Sequence, residues 1–336
     1  MSLGGRTILA LYGAFALAAA ACLGASDAAA QKIIRLGHSE GADAPHGQTM
    51  QIFKKLVESQ TGGRVQVQIF VSLQLGPVVE ELEGVKQGTQ EMFISTPAWF
   101  SRFYNQVDVL SLPYLVTDWD QAERMMQSDA VRKIAADAEA ASGIKILGVI
   151  PVGFRNAATR VRPIMKAEDF AGLKIRVQNS PVYIGAFRAL KANPVAMDAG
   201  EQFQAVQSGV IDGLESTFPI ILSAKYNQVA PFISETRHNF DVFLVYINQK
   251  FFNGLAPDEQ QAVTSAMRAA EIASVVITRN AESQAQRALV ASGAKLNDVP
   301  KETIAALQAA VKPLYDEMGP KFEPNLSALR KAIAAK

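Results

Sequence analysis

The stretch GLKIRVQNSPVYIGAFRALKANP, residues 172–194, places a strand pattern directly before a helix pattern. In its KIRV segment the two apolar residues point to one side of an extended chain, and Arg176 points to the other. Ser180 and Pro181 are residue types preferred at the N-cap and the first position of a helix. Ligands of α/β proteins bind beyond the carboxyl ends of strands. Arg176 is therefore either a solvated charge or a binding residue for an anion.

Strand and helix patterns alternate upstream of this stretch. The segments KIIRLGHS (32–39), RVQVQIFV (64–71) and IKILGVI (144–150) are typical of strands. Residues 110–116, LSLPYLV, are expected to be a strand or an extended segment, and residues 119–143 a helical stretch. Helix patterns over residues 47–63 and 78–88 and a short strand pattern over residues 91–96 complete a β-α-β-α-β-α-β order, which predicts an α/β layer architecture.

A second α/β unit is expected to begin near Pro151, because strand and helix patterns continue through VFLVYINQKFF (242–252). The run from Asp258 to Ser292 contains no helix breaker, and Pro257 suits a first turn. Such a helix is long enough to touch both units. A chain of 336 residues also favours two domains.

Composition limits the possible partners. The chain is 49% hydrophobic and 19% charged, and its formal net charge is +1. So small a charge gives no electrostatic reason to expect nucleic acid or an anionic membrane as a partner.

The N-terminus has the pattern of a cleavable secretory signal peptide over residues 1–30. Arg6 precedes the apolar run ILALYGAFALAAAACLGA, and small residues follow as far as Ala30. A membrane anchor, or a lipid attached at Cys22, is the alternative. Since Cys22 is the chain's single cysteine, cleavage after Ala30 leaves no thiol for catalysis or metal binding.

Templates for catalysis and for cofactors are absent from the sequence. The three histidines, His38, His46 and His238, match no HExxH arrangement, and there is no GxSxG, P-loop or GxGxxG motif. Asp212 and Glu215 form a possible acid–base pair, but a structural role suits both better. We therefore expect no metal, no cofactor and no enzymatic activity.

Ordered motifs along the chain resemble the solute-binding proteins of tripartite ATP-independent periplasmic (TRAP) transporters, in the DctP-like family. The likeness is carried by residues 172–216 and by KYNQVAPFISETRH (225–238). It extends upstream through RLGH (35–38) and LSLPYLVTDW (110–119), and downstream through FFNGLAPDEQQAV (251–263).

The resemblance implies a two-domain α/β periplasmic binding protein with a central ligand cleft and a long helix spanning both domains. The expected division is residues 31–153 and 242–281 for domain I, and 154–241 and 282–336 for domain II. The protein would capture a small organic acid in the periplasm and deliver it to the membrane permease subunits of the transporter.

The resemblance also implies a set of ligand contacts. Arg176 matches the family's central arginine, which makes a bidentate pair with the solute carboxylate. Arg155 and Asn179 match further contact positions, and His238 matches a residue that lines the site beside Glu215. The remaining candidate contacts are Ser39, Thr96, Trp99, Ser216 and Phe218.

Two departures from the family pattern bear on the solute. Ser216 stands where relatives often carry an asparagine, and Thr96 lies near the place of an acidic residue in sialic-acid binders. Trp99, Phe154 and Phe218 indicate a more apolar pocket. We therefore expect an oxo, branched or aromatic acid rather than sialic acid or another hydroxyl-rich sugar acid, which needs many polar partners. A four-carbon dicarboxylate is the alternative. A ligand-presenting sensor of the same fold and an exported hydrolase are the competing functions.

Overall fold

The computed structural model describes residues 31–335, so the predicted signal peptide (residues 1–30) lies outside the described residues. The strands are β1 (Lys32–Gly37), β2 (Val65–Phe70), β3 (Met92–Ser95), β4 (Ile144–Thr159), β5 (Lys174–Val177), β6 (Asn193–Ala196), β7 (Gly213–Ser216), β8 (Phe232–Asn248) and β9 (Lys295–Asn297). The helices are α1 (Pro45–Gln60), α2 (Val78–Gln87), α3 (Pro97–Phe100), α4 (Trp119–Gln127), α5 (Asp129–Ser142), α6 (Pro181–Ala189), α7 (Gln202–Gln207), α8 (Phe218–Ser223), α9 (Gln249–Asn253), α10 (Pro257–Ala291), α11 (Lys301–Ala310), α12 (Lys312–Met318) and α13 (Asn325–Ala334).

One mixed sheet, in the order β2-β1-β3-β8-β4-β7-β5-β6, organises the molecule, and β9 adds to β8. The long strands β4 and β8 run antiparallel at its centre. On one flank β3 pairs with the C-terminal part of β8 and continues to β1 and β2 in parallel. On the other flank β7 pairs with the end of β4 and continues to β5 and β6 in parallel. The two flanks are thus α/β units joined by shared strands.

Two hydrophobic clusters cover the opposite faces of this sheet. Phe93 and Tyr246 belong to one cluster, and their chain neighbours Ile94 and Val245 belong to the other. Successive residues of a strand point to opposite faces, which explains the division. All four of these side chains are at most 1% exposed.

The long helix expected from the sequence is present as α10, with 35 residues. Pro257 opens it, and the Glu259 carboxylate accepts a hydrogen bond from the backbone N–H of Ala256 at 2.8 Å. The helix packs against α1 beside one flank of the sheet and against α8 beside the other. No helix within residues 31–335 is long and apolar enough to cross a membrane.

Three local expectations are wrong. Residues 110–116 are not a strand, because the chain forms a 3-10 helix over Asn105–Ser111 and then turns. The helical stretch 119–143 breaks at Ser128, whose Oγ accepts from the N–H of Val131 and caps α5.

The third error concerns the central strands. β4 does not stop at Ile150 but continues to Thr159, because an irregularity in register between Pro151 and Gly153 accommodates the proline inside the strand. β8 begins ten residues before the predicted start at Val242 and ends at Asn248, before the short helix α9. Both strands therefore cross between the units.

The predicted division into domains passes through the middle of these two strands and stays a prediction. The C-terminal helix α13 packs against α4 and α5, which that division assigns to domain I. The end of the chain therefore lies against elements of the other predicted domain.

Candidate functional site

A cavity of about 260 Å³ lies where the carboxyl ends of strands from both flanks meet. Ser39 follows β1, Thr96 follows β3, Arg176 lies near the end of β5 and Ser216 ends β7; all four line the cavity. This is the place where ligands bind in open α/β sheets. Of the other predicted contacts, Trp99 and Arg155 also line it.

Arg176 is held in the cavity wall with its guanidinium only partly engaged. Its Nε and Nη2 donate to the carbonyl oxygen of Met197 at 3.0 and 2.7 Å, and the side chain is 3% exposed. Within residues 31–335 it forms no ion pair with a carboxylate at 4.0 Å or less. Burial lowers the pKa of Arg176, and the charge of Glu215 opposes that shift. An arginine nevertheless stays protonated in proteins, so the wall carries a buried positive charge.

Arg155, by contrast, is neutralised by its surroundings. It pairs with Glu215 through Nε, and its Nη2 lies 2.8 Å from Glu215 Oε1. Its Nη1 donates to Asp241 Oδ2 at 2.9 Å. Burial alone would lower the pKa of Arg155, but these two carboxylates raise it well above its ordinary value. Arg155 is therefore first of all a structural cation, although it touches the cavity.

His238 supports this ion network from outside the cavity lining. Its Nε2 lies 3.2 Å from Glu215 Oε2, and its Nδ1 lies 2.8 Å from Thr236 Oγ1. Burial alone would raise the pKa of Glu215, but Arg155 and His238 hold it below its ordinary value. His238 and Glu215 thus lie side by side, as expected, but they position Arg155 rather than face the cavity.

A hydrogen bond between Thr96 and Gln178 joins the two flanks of the sheet across the cavity. Thr96 follows β3 and donates to Oε1 of Gln178, which follows β5. Gln178 also lies 3.4 Å, through Nε2, from Asp241 Oδ2. Burial raises the pKa of Asp241 to about 6, against the opposing charge of Arg155. The bridge therefore connects Thr96 to the arginine–carboxylate network.

Two predicted contacts lie elsewhere. Asn179 is exposed, and its neighbour Gln178 lines the cavity instead. Phe218 is buried in a core cluster, and Phe154 packs edge-on against Phe240 at 5.0 Å in the other. Of the three aromatic residues, Trp99 alone lines the cavity, so the argument for an apolar pocket loses most of its basis.

The lining instead includes polar side chains that sequence reasoning missed, namely Glu40, Ser72, Ser95, Gln178, Gln202, Ser223 and Tyr226. A signal existed for Gln178, because strand alternation puts it on the same side as Arg176. None existed for Tyr226, which comes from a 3-10 turn distant in sequence.

A family model and curated proteins match this chain over most of its length. The model described as "Bacterial extracellular solute-binding protein, family 7" (DctP) matches residues 36–321. The C4-dicarboxylate-binding periplasmic protein DctP of Rhodobacter capsulatus is 30% identical over 332 residues, which cover 98% of each chain.

Solved structures share the fold. A TRAP periplasmic solute-binding protein from Bordetella, with density assigned as pantoate, is 29% identical; it has a TM-score of 0.86 and covers 91% of this chain and all of its own. The sugar acid binding protein DctPAm of Advenella mimigardefordensis, in complex with galactonate, is 25% identical; it also has a TM-score of 0.86 and covers 90% of this chain and 98% of its own. The two-domain α/β fold expected from the sequence is thereby confirmed.

Proposed function

Since the chain belongs to family 7 of the bacterial extracellular solute-binding proteins, we propose that it is the periplasmic component of a TRAP transporter and captures a small organic acid through Arg176. Its task is to bind and to deliver, without covalent chemistry. The solute carboxylate pairs with the guanidinium in the cavity. The proposal rests on the position of Arg176, a buried cation whose hydrogen bonds go to one carbonyl oxygen, that of Met197.

Burying an arginine without an anion is unfavourable, and a carboxylate ligand removes that penalty. The two N–H groups of Arg176 Nη1 make no hydrogen bond within residues 31–335. Nη1 can therefore donate one of the two parallel hydrogen bonds that a carboxylate accepts from a guanidinium. Arg155 is already matched by Glu215 and Asp241. Arg176 is therefore the cation of the cavity wall that has no carboxylate within ion-pair distance in residues 31–335.

The size and lining of the cavity favour a small, hydroxylated acid. A volume of about 260 Å³ lies just below the ~300–1,000 Å³ common for ligand pockets. Hydroxyl and amide groups from Ser39, Ser95, Gln202 and Tyr226 offer partners for polar atoms of the solute. The ligands named for the relatives, a C4-dicarboxylate, galactonate and pantoate, are all carboxylates. Sugar acids thus return as candidates beside the oxo, branched and aromatic acids expected from the sequence.

The test is a thermal unfolding panel on protein that has been unfolded and refolded to strip retained solute. The panel holds organic acids, sugar acids, amino acids and neutral sugars. A ligand at a hundred times its dissociation constant adds about 2.7 kcal/mol to the free energy of unfolding, so the melting temperature rises. We expect the rise with carboxylates alone. A rise with neutral sugars alone would exclude the proposed function.

The proposed place of action is the periplasm, reached by cleavage of residues 1–30. Cell fractionation and N-terminal sequencing test this. We expect a periplasmic chain that begins at Gln31, whereas an intact N-terminus in the membrane fraction would contradict export by cleavage.

Delivery to permease subunits is tested by solute uptake in cells that lack those subunits. We expect uptake to stop in these cells. In cells that lack this protein instead, uptake that persists while a response to the solute is lost would indicate the sensor function.

A hydrolase finds little support in the geometry. The pairing of Thr236 with His238 and of His238 with Glu215 has the order of a catalytic triad. However, Thr236 is fully buried, and neither it nor His238 lines the cavity, so a substrate there does not reach them. We expect no turnover of ester or glycoside substrates by the purified protein.

A further inference from the structure

A second group of chemically capable side chains lies beside the cavity, at the loop between β1 and α1. His38 follows β1, Glu40 lies in the loop, and His46 is the second residue of α1. One possible ligand atom from each of the three lies within 4.8 Å of the other two. His38 is fully buried and His46 is 3% exposed. Neither histidine lines the cavity that contains Arg176.

The polar atoms of this group lack hydrogen-bond partners within the described part of the chain. Both ring nitrogens of His38 are buried without one, as are Nε2 of His46 and Oε2 of Glu40. The last two atoms are 3.1 Å apart, close enough for an ion pair, but their contact lacks the angles of a hydrogen bond. Leaving buried polar atoms unsatisfied is unfavourable. The unsatisfied atoms on His38, Glu40 and His46 therefore indicate a partner that binds all three side chains.

We propose that His38, Glu40 and His46 bind a divalent metal ion such as Zn²⁺. Two imidazoles and one carboxylate are a donor set that suits Zn²⁺, whereas Mg²⁺ and Ca²⁺ prefer oxygen ligands throughout.

The spacing of the donors is close to what a tetrahedral ion needs. Bond lengths of about 2.0–2.2 Å to nitrogen and oxygen place two ligand atoms roughly 3.4 Å apart. The 3.1 Å between His46 Nε2 and Glu40 Oε2 already approaches this value. The widest pair, within 4.8 Å, requires a small inward movement. The edge-on contacts of His46 with His38 and with Phe243, both at 4.9 Å between ring centroids, hold the rings in place.

Three protein ligands leave a fourth position for water or another oxygen donor. Because Glu40, with its neighbours Ser39 and Gly41, also belongs to the cavity wall, a bound ion fixes part of that wall. The site itself does not depend on which solute the cavity binds, nor on the proposed transport function.

The first test is metal binding by the tag-free exported protein after treatment with a chelator. Competition with a chromophoric chelator measures the affinity for Zn²⁺. The visible absorption of bound Co²⁺ reports whether the metal ion has a low coordination number. We expect one Zn²⁺ per chain. The variants His38→Gln, Glu40→Gln and His46→Gln each remove one ligand, and we expect each to weaken binding at least about tenfold.

Asp43→Asn is the matched control, because Asp43 is an exposed carboxylate of the same loop outside the cluster. We expect it to bind Zn²⁺ as the unaltered protein does. Zn²⁺ affinity unchanged in His46→Gln, or less than one bound ion per unaltered chain, overturns the proposal. If a variant does not fold, anomalous diffraction from crystals of the unaltered protein grown with Zn²⁺ decides the question. A peak among the three side chains supports the site, and a peak only elsewhere overturns it.

Discussion

Arg176 donates two hydrogen bonds to a single acceptor, the backbone carbonyl of Met197, from Nε at 3.0 Å and Nη2 at 2.7 Å. Arg155, on the neighbouring part of the cavity wall, instead meets the carboxylates of Glu215 and Asp241. The two buried arginines therefore have different expected roles. We expect Arg155 to balance charges that the fold itself buries, and Arg176 to pair with a charge that the solute brings.

Replacing Arg176 should abolish or greatly weaken solute binding. Arg176→Met keeps most of the buried side chain but removes the charge, and we expect a loss of roughly 2–5 kcal/mol of binding free energy. Arg176→Lys should also bind more weakly, because an ammonium group cannot form the planar two-bond pair. Isothermal titration calorimetry with the best acid of the panel measures both. Arg102→Ala, at an exposed arginine, is the control, and equal affinity in Arg176→Met and Arg102→Ala would refute the assignment.

Replacing Arg155 should damage the fold even without solute. Arg155→Met leaves Glu215 and Asp241 buried without their cation, which costs roughly 3–5 kcal/mol. Urea unfolding of solute-free protein measures this loss. Arg176→Met should be nearly neutral or stabilising in the same experiment, since it removes a buried charge that has no ion-pair partner within residues 31–335. The reverse order of stabilities would show that the two roles have been exchanged.

The hydrogen bond between Thr96 and Gln178 should couple the two flanks of the sheet. Both side chains are buried, at 5% and 3% exposure, so each single replacement leaves the other group unsatisfied. Thr96→Val and Gln178→Leu should therefore each lower the free energy of unfolding. The double variant should lose less than the sum, with an interaction energy of roughly 0.5–3 kcal/mol. Strict additivity in urea unfolding would mean that the bridge contributes nothing.

Glu81 should make stability depend on pH. Burial raises the pKa of Glu81 from 4.5 to about 7, although Gln90 donates to it at 3.0 Å. The native state therefore holds a proton that the unfolded chain releases, and the contribution of Glu81 is full below pH 4.5 and is lost as the pH rises towards 7. Glu81→Gln, which is neutral throughout, should gain stability relative to the unaltered protein across that range.

Urea unfolding between pH 4 and pH 8 measures the stability difference between Glu81→Gln and the unaltered protein. Glu80→Gln, an exposed carboxylate on the same helix, should show no such trend. A difference for Glu81→Gln that stays constant with pH would place the titration elsewhere.

Local pattern was enough to predict the elements that carry the site. Alternation in KIRV gave β5, and Ser180 with Pro181 gave the start of α6, because both signals depend on near neighbours in the chain. The same alternation favours Gln178 over Asn179 as a companion of Arg176, and the structure places Gln178 in the cavity lining. The assignment of Asn179 came from family resemblance alone.

Features set by distant contacts could not be predicted in this way. Pro151 suggested the end of a strand, whereas pairing of β4 with β8 carries the chain past it through an irregular register. Tyr226 lies in a 3-10 turn, and it lines the cavity together with residues that are distant from it in sequence. The pairing of Arg155 with Asp241 likewise joins residues 86 positions apart. A sequence pattern identifies such residues as charged but does not say which of them are already paired.

The most direct measurement compares one organic acid with its own carboxamide by calorimetry, on the unaltered protein and on Arg176→Met. The amide keeps the shape of the acid but loses the charge that Arg176 is proposed to bind. We predict that the acid binds the unaltered protein, that the amide does not, and that Arg176→Met discriminates little between them. Equal binding of acid and amide by the unaltered protein would contradict capture of the solute by its carboxylate.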